Sequence, residues 1–151
     1  MTQDLAAWAK ANAIRYFLIG YTDLFGGQRA KMVPAQAIAD MQAEGAGFAG
    51  FASWLDLTPA HPDLFAFPDA DAATPLPWKP GVAWIPADVH MDDAPLAQVP
   101  RQALKAQVAA AAELGLRVKT GVEPEFFLVS ADGSEISDGR DDAEKPCYDQ
   151  Q

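Results

Sequence analysis

The residue types best suited to chemistry fall in one run, Gly121-Val122-Glu123-Pro124-Glu125-Phe126-Phe127-Leu128. In an extended segment side chains alternate every second residue, so Glu123 and Glu125 project to one face while Phe126 and Leu128 take the other. Like charges held that close repel unless a cation lies beside them. A hard divalent ion such as Mg²⁺ or Mn²⁺ is the natural counter-charge for oxygen donors. Pro124 cannot donate to a strand ladder, which puts the pair at an edge, a bulge or a strand end. The same alternation also describes a solvated strand face backed by an ordinary apolar one.

Other reactive groups are sparse. His61 and His90 are the two imidazoles, far apart and flanked by prolines or acids, which suits surface loops rather than ligation. The single Cys147 can form neither an internal disulfide nor a thiolate zinc site. No GxxxxGK[ST] phosphate loop occurs. Trp54, Trp78 and Trp84 read as packing or loop anchors, and Arg101 as the anchor of a helix start rather than a nucleotide ligand.

The elements that must position these residues are legible from periodicity and punctuation. Residues 2–12 place Leu5, Trp8 and Ala9 at helical spacing, with Thr2 or Asp4 available as a cap. Residues 14–21 and 28–33 read as two strands joined by a turn ending in Gly26-Gly27. Pro34 then opens a helix whose apolar face carries Ile38 and Met41 and which ends at Gly45 or Gly47. From 46 to 100, nine prolines break helical pattern and leave residues 64–67 and 82–85 as short strands. The clearest helix begins at Pro100, with Leu104, Val108, Ala111, Ala112 and Leu114 on one face and Gly115 as its stop. Beyond it, residues 116–129 are extended, Ala131-Asp132-Gly133-Ser134 is a hairpin turn, and Glu135-Ile136 starts a return strand.

This order predicts an α+β fold: a small ββαβ grasp-like domain over residues 1–95, then a helix-plus-strand unit over 96–151. A hairpin only beginning to pair at the chain's end predicts that more sequence is needed to cover it.

The 151 residues carry 11 Lys+Arg against 21 Asp+Glu, a net charge of −10, and half of them are apolar. That composition excludes whole-chain disorder and supports a buried core. The acidic balance argues against nucleic acid and anionic membrane surfaces as partners. Apolar runs such as Tyr16-Phe17-Leu18-Ile19 fall far short of the roughly 20 residues a spanning helix needs, and Met1-Thr2-Gln3-Asp4 lacks a basic leader. A cytoplasmic protein is expected.

The 121–128 run resembles the Gly-Pro-Glu-Pro-Glu-Phe-Phe-Leu metal motif of glutamine synthetases. Upstream, Tyr21-Thr22-Asp23-Leu24-Phe25-Gly26-Gly27-Gln28-Arg29-Ala30-Lys31-Met32-Val33-Pro34 is similar to that family's first β-hairpin. Phe67-Pro68-Asp69 is similar to its Met-Pro-Asp element, and Asp88 with Pro100-Arg101 to the Asp and Pro-Arg before its first long helix. The resemblance is ordered along nearly the whole chain.

It implies a β-grasp domain followed by the first helix and strands of a catalytic domain, in homo-oligomeric rings whose active sites lie between neighbours. It also implies the reaction, in which ATP phosphorylates the γ-carboxylate of glutamate and an amine attacks the acyl phosphate. By the same resemblance Glu123 and Glu125 ligate Mg²⁺ or Mn²⁺, with further carboxylates, a His and arginines supplied from downstream. Residues 1–151 alone are then expected to be inactive.

One departure stands out. Where the family commonly carries Phe-Asp-Gly-Ser, whose Asp helps bind and deprotonate ammonium, this chain reads Phe48-Ala49-Gly50-Phe51-Ala52-Ser53-Trp54. Losing an anion weakens cation capture, and added apolar surface suits an alkylated amine. With the terminal Lys145-Pro146-Cys147-Tyr148-Asp149-Gln150, this resembles the type III or GlnT-like branch, which includes γ-glutamylmethylamide synthetases. Asp56 or Asp63 could replace the missing acid, and the amine is ammonia or methylamine. Two other classes fit the residues: a non-catalytic β-grasp interaction module, and a simple acidic binder of divalent metal.

Overall fold

In the computed structural model, which describes residues 2–135, Asp4 caps helix α1 (Leu5–Ala11) by accepting hydrogen bonds from the Ala6 and Ala7 amides. Strands β1 (Tyr16–Thr22) and β2 (Gln28–Pro34) form the expected antiparallel hairpin, in register from Tyr16 opposite Pro34 to Thr22 opposite Gln28. After Pro34 a 3₁₀ turn (Ala35–Ala37) leads into α2 (Ile38–Glu44), which stops at Gly45 with φ +80°. Strands β3 (Ala46–Phe48), β4 (Leu64–Pro68), β5 (Thr74–Pro75), β6 (Val82–Met91) and β7 (Ala94–Pro95) follow, then α3 (Pro100–Glu113) with Pro at its start.

The sheet order is β2-β1-β6-β4-β3, with β5 and β7 also paired to β6. β6 is parallel to β1 and antiparallel to β4. A hairpin whose first strand lies parallel to a later, central strand, with helices between, is the α+β grasp arrangement expected. The core is Leu5, Phe17, Ile19, Ile38, Leu64, Ile85 and Val89, all inaccessible to solvent, with Trp8 of α1 set on Phe17 at 6.1 Å between ring centroids. Gln42 joins the two N-terminal helices, accepting from the Leu5 amide and donating to the Gln3 carbonyl.

Several local expectations need correction. β6 does not stop before Pro86 but continues to Met91. Pairing with β1 ends at Gly20 opposite Pro86, and pairing with β4 begins at Pro68 opposite Ala87, so Pro86 sits where β6 changes partner and a missing N–H costs least. β3 is a short strand inside the stretch that prolines mark only as strand and loop. Residues 116–128 form no strand among the described residues; one bridge occurs at Val129, and Ser130 closes the predicted turn by donating its amide to the Glu135 carbonyl at 2.8 Å. Strand conformation depends on a paired neighbour, which local alternation cannot supply. Asp132 organises that turn by accepting from the Ser130 and Ser134 hydroxyls and the Ser134 amide, which holds its carboxyl down at about 2. Ile136, Cys147 and the terminal run from Lys145 lie outside the described residues.

Two compact units, Met1–Arg117 and Val118–Gln151, divide the chain. In the first, the apolar face of α3 is not buried: Leu104 is 61% and Val108 45% exposed. Helical spacing identifies the apolar face but not its cover. No described helix is long and apolar enough to cross a membrane.

Candidate functional site

Three groups of side chains could carry function. Glu123 and Glu125 lie in the second unit and both are exposed, along with Val122, Phe126, Phe127 and Leu128. Their carboxylates are hard oxygen donors of the type that Mg²⁺ or Mn²⁺ prefers. Among the described residues no cluster of three or more His, Cys, Asp or Glu side chains is placed to hold a metal ion.

The second group is ionic, in the first unit. Asp69, just after β4, and Asp88, on β6, converge on the first turn of α3. Arg101 reaches Asp69 with one guanidinium nitrogen and Asp88 with another at 2.9 Å, while Lys105 contacts the second Asp88 oxygen at 2.5 Å. Burial pushes the Asp88 carboxyl up, but hydrogen bonds and charge from Lys105 and Arg101 outweigh it and hold the group below the usual carboxylate range. Three separated motifs therefore meet, and Arg101 is the helix anchor expected. A cavity of about 290 Å³ lies beside it, walled by Trp84, Pro86, Pro100 and Leu104. Its lining is mostly apolar, with Tyr21, Thr22 and Gln28 adding polar groups from the hairpin, and its one cation, Arg101, is already committed to the two aspartates.

The third group joins the β1–β2 turn to the departing 48–54 segment. Asp23 is buried, accepting from the Phe25 amide at 2.9 Å, the Gly27 amide at 2.8 Å and Arg29 Nε at 2.7 Å. Burial raises this carboxyl, and the Arg29, Gly27 and Phe25 donors bring it below its ordinary value. Arg29 lies over Trp54 at 5.6 Å, and Phe25 meets Trp54 edge-on at 5.4 Å. Tyr21, whose hydroxyl burial pushes up and so keeps protonated, donates to the Ser53 carbonyl at 3.2 Å. An Asp opening a turn is a familiar local signal; its convergence with Trp54 had none.

Ala49 is exposed at the end of β3, and Asp56 and Asp63 are exposed at the two ends of the segment that leads into β4. Gly50 approaches so closely that a Cβ there would stand 2.5 Å from the Pro62 carbonyl oxygen, tying the 48–54 loop to the chain beside Asp63. His61 is a surface loop residue bonded to Thr58, as expected. His90 is instead on β6 with its ring 4.7 Å from Phe67, and Trp78 is a 78% exposed loop residue rather than a packing anchor.

Comparison with known proteins bears out the family resemblance. All 151 residues align at 72% identity with a glutamine synthetase of Rhizobium leguminosarum bv. phaseoli, covering 35% of that protein. The chain is 38% identical over 144 residues to the glutamate–methylamine ligase of Methyloversatilis universalis, covering 93% of this chain and 33% of that one. A solved GmaS–ADP complex superposes with a TM-score of 0.90 at 56% identity, over 99% of this chain and 35% of that one. The chain thus spans about a third of the length of the relatives it matches. No protein-family model matches it.

Proposed function

We propose, on the premise that this chain is a relative of the glutamine synthetase family along its whole length, that it forms part of an ATP-dependent ligase joining glutamate to ammonia or methylamine. The observation that carries this reading is the unbroken 151-residue match to a glutamine synthetase. In the proposed reaction a γ-carboxylate oxygen of glutamate attacks the terminal phosphorus of ATP and displaces ADP. The amine nitrogen then attacks the acyl phosphate, inorganic phosphate leaves, and the nitrogen loses a proton to give a γ-glutamyl amide.

Glu123 and Glu125 would hold Mg²⁺ or Mn²⁺ ions, one ion each, which when bound screen the repulsion between ATP phosphates and the glutamate carboxylate. Both are hard oxygen donors, which supports that role. The 48–54 loop would border the amine. With Ala49 where the family's carboxylate commonly stands, it offers apolar contact rather than a charge, which favours methylamine over ammonium. Asp56 and Asp63 remain the candidates for a substitute acid. As the resemblance implies, the grasp unit would close the active site of a neighbouring subunit in a ring.

The test uses the purified full-length protein with glutamate, ATP, Mg²⁺ and either ammonium or methylamine. Phosphate release with γ-glutamyl amide formation is expected, with higher kcat/KM for methylamine. Glu123→Gln and Glu125→Gln should each lower kcat by about a hundredfold or more, the scale of several kcal/mol of charge stabilisation. Residues 1–151 alone should make no product. Absence of product from the full-length protein with both amines would refute the assignment; higher kcat/KM for ammonium would refute the methylamine preference alone.

A further inference from the structure

Trp54 combines two properties that core packing does not explain. Its backbone is in the left-handed region, φ +57°, which a bulky side chain adopts only when its surroundings over-determine it. Yet its side chain is in the surface: Trp54 is 56% and its partner Phe25 79% exposed. The groups that hold this conformation come from the β1–β2 hairpin, 25 to 32 residues earlier in the chain. The Leu24 amide donates to the Trp54 carbonyl at 3.3 Å, Tyr21 bonds the Ser53 carbonyl, and the Tyr21 ring stands edge-on to Phe48 at 5.2 Å. Arg29, aimed by its bond to buried Asp23, lays its guanidinium over the Trp54 ring. Both ends of the 48–54 loop are therefore gripped by the β1–β2 hairpin, and the result is an ordered, outward-facing aromatic surface.

We infer that Tyr21 and the Asp23–Arg29 pair are positioning residues for the amine-selecting loop, holding residues 48–54 to the hairpin so that the two present Trp54 and Phe25 as one pre-organised surface. This rests on the proposed ligase function, in which that loop borders the amine. Such pre-organisation spends no ordering entropy at the moment of binding, so releasing the clamp weakens amine binding while leaving groups at the phosphoryl centre in place. Arg29 suits the task because its planar cation stacks on the indole while one edge bonds the carboxylate; a lysine can keep the charge but not that geometry.

The experiment compares full-length protein carrying Arg29→Gln, Arg29→Lys or Tyr21→Phe with the unaltered protein. Glutamate, ATP and amine are varied in turn, and amide hydrogen exchange is followed at Leu24. Tyr21→Phe keeps the ring against Phe48 and removes only the bond to Ser53. For Arg29→Gln the KM for amine should rise about fivefold, the scale of one cation–π contact, with kcat and the KM values for glutamate and ATP within about twofold. Tyr21→Phe should move the same way, Arg29→Lys should recover part of the loss, and Leu24 exchange should quicken in step. An active unaltered protein whose amine KM is unmoved by both Arg29→Gln and Tyr21→Phe overturns the inference, as does a uniform loss of all three substrates' affinity. Failure of the proposed function reads differently, as an unaltered protein that forms no amide.

Discussion

Replacing Arg101 with Met should loosen α3 from the sheet by a predictable amount. Met keeps much of the side-chain length but removes one charge and two hydrogen bonds, to Asp69 and to Asp88. A charge-assisted bond contributes about 1.5–3 kcal/mol when dry and an exposed ion pair about 0–1 kcal/mol. The side chains of Arg101, Asp69 and Asp88 are 27%, 34% and 21% exposed, between those limits. A loss of about 2 kcal/mol follows, or a Tm lower by about 4–8 °C for a chain of this size. Lys105, 52% exposed and bonded to Asp88 alone, should cost about 0.5 kcal/mol on replacement by Met. The sign of the pH dependence is set by Asp88, held below the ordinary carboxylate range. Its stabilisation is complete above about pH 4 and is lost as pH falls through the lowered folded value. The gap between unaltered protein and Arg101→Met, measured by thermal unfolding, should therefore be widest near neutrality and narrow below about pH 4. A Tm change no larger than that of Lys105→Met, or a gap independent of pH, would refute the view that this cluster anchors α3.

Leu64→Ala removes a fully buried side chain at the start of β4 and should cost about 2–5 kcal/mol, read as a lower urea midpoint with unchanged slope. Gly50→Ala should cost about 1–3 kcal/mol, because the new methyl meets the rigid Pro62 carbonyl rather than a side chain that can turn away. Asp4→Ala removes the acceptor that caps α1 and should cost about 1 kcal/mol, visible in the same unfolding curves.

Chain order already contains those features that a residue imposes on its near neighbours. Asp4 caps α1 through amides two and three residues away, Gly45 ends α2, Pro100 starts α3, and the β1–β2 hairpin follows from two apolar strands around a Gly-Gly turn. What folding added depends on partners far along the chain. Asp69 and Asp88 lie 32 and 13 residues from Arg101, and Tyr21 lies 32 from Ser53. Pro86 stands within a central strand because β6 exchanges neighbours there, a circumstance no local rule contains. The exposed face of α3 makes the same point in reverse: helical periodicity displays an apolar stripe, but burial is a property of what packs against it. Short-range dihedral and hydrogen-bond preferences act within a few residues, whereas ion clusters, ladder changes and burial arise only when distant segments meet in space.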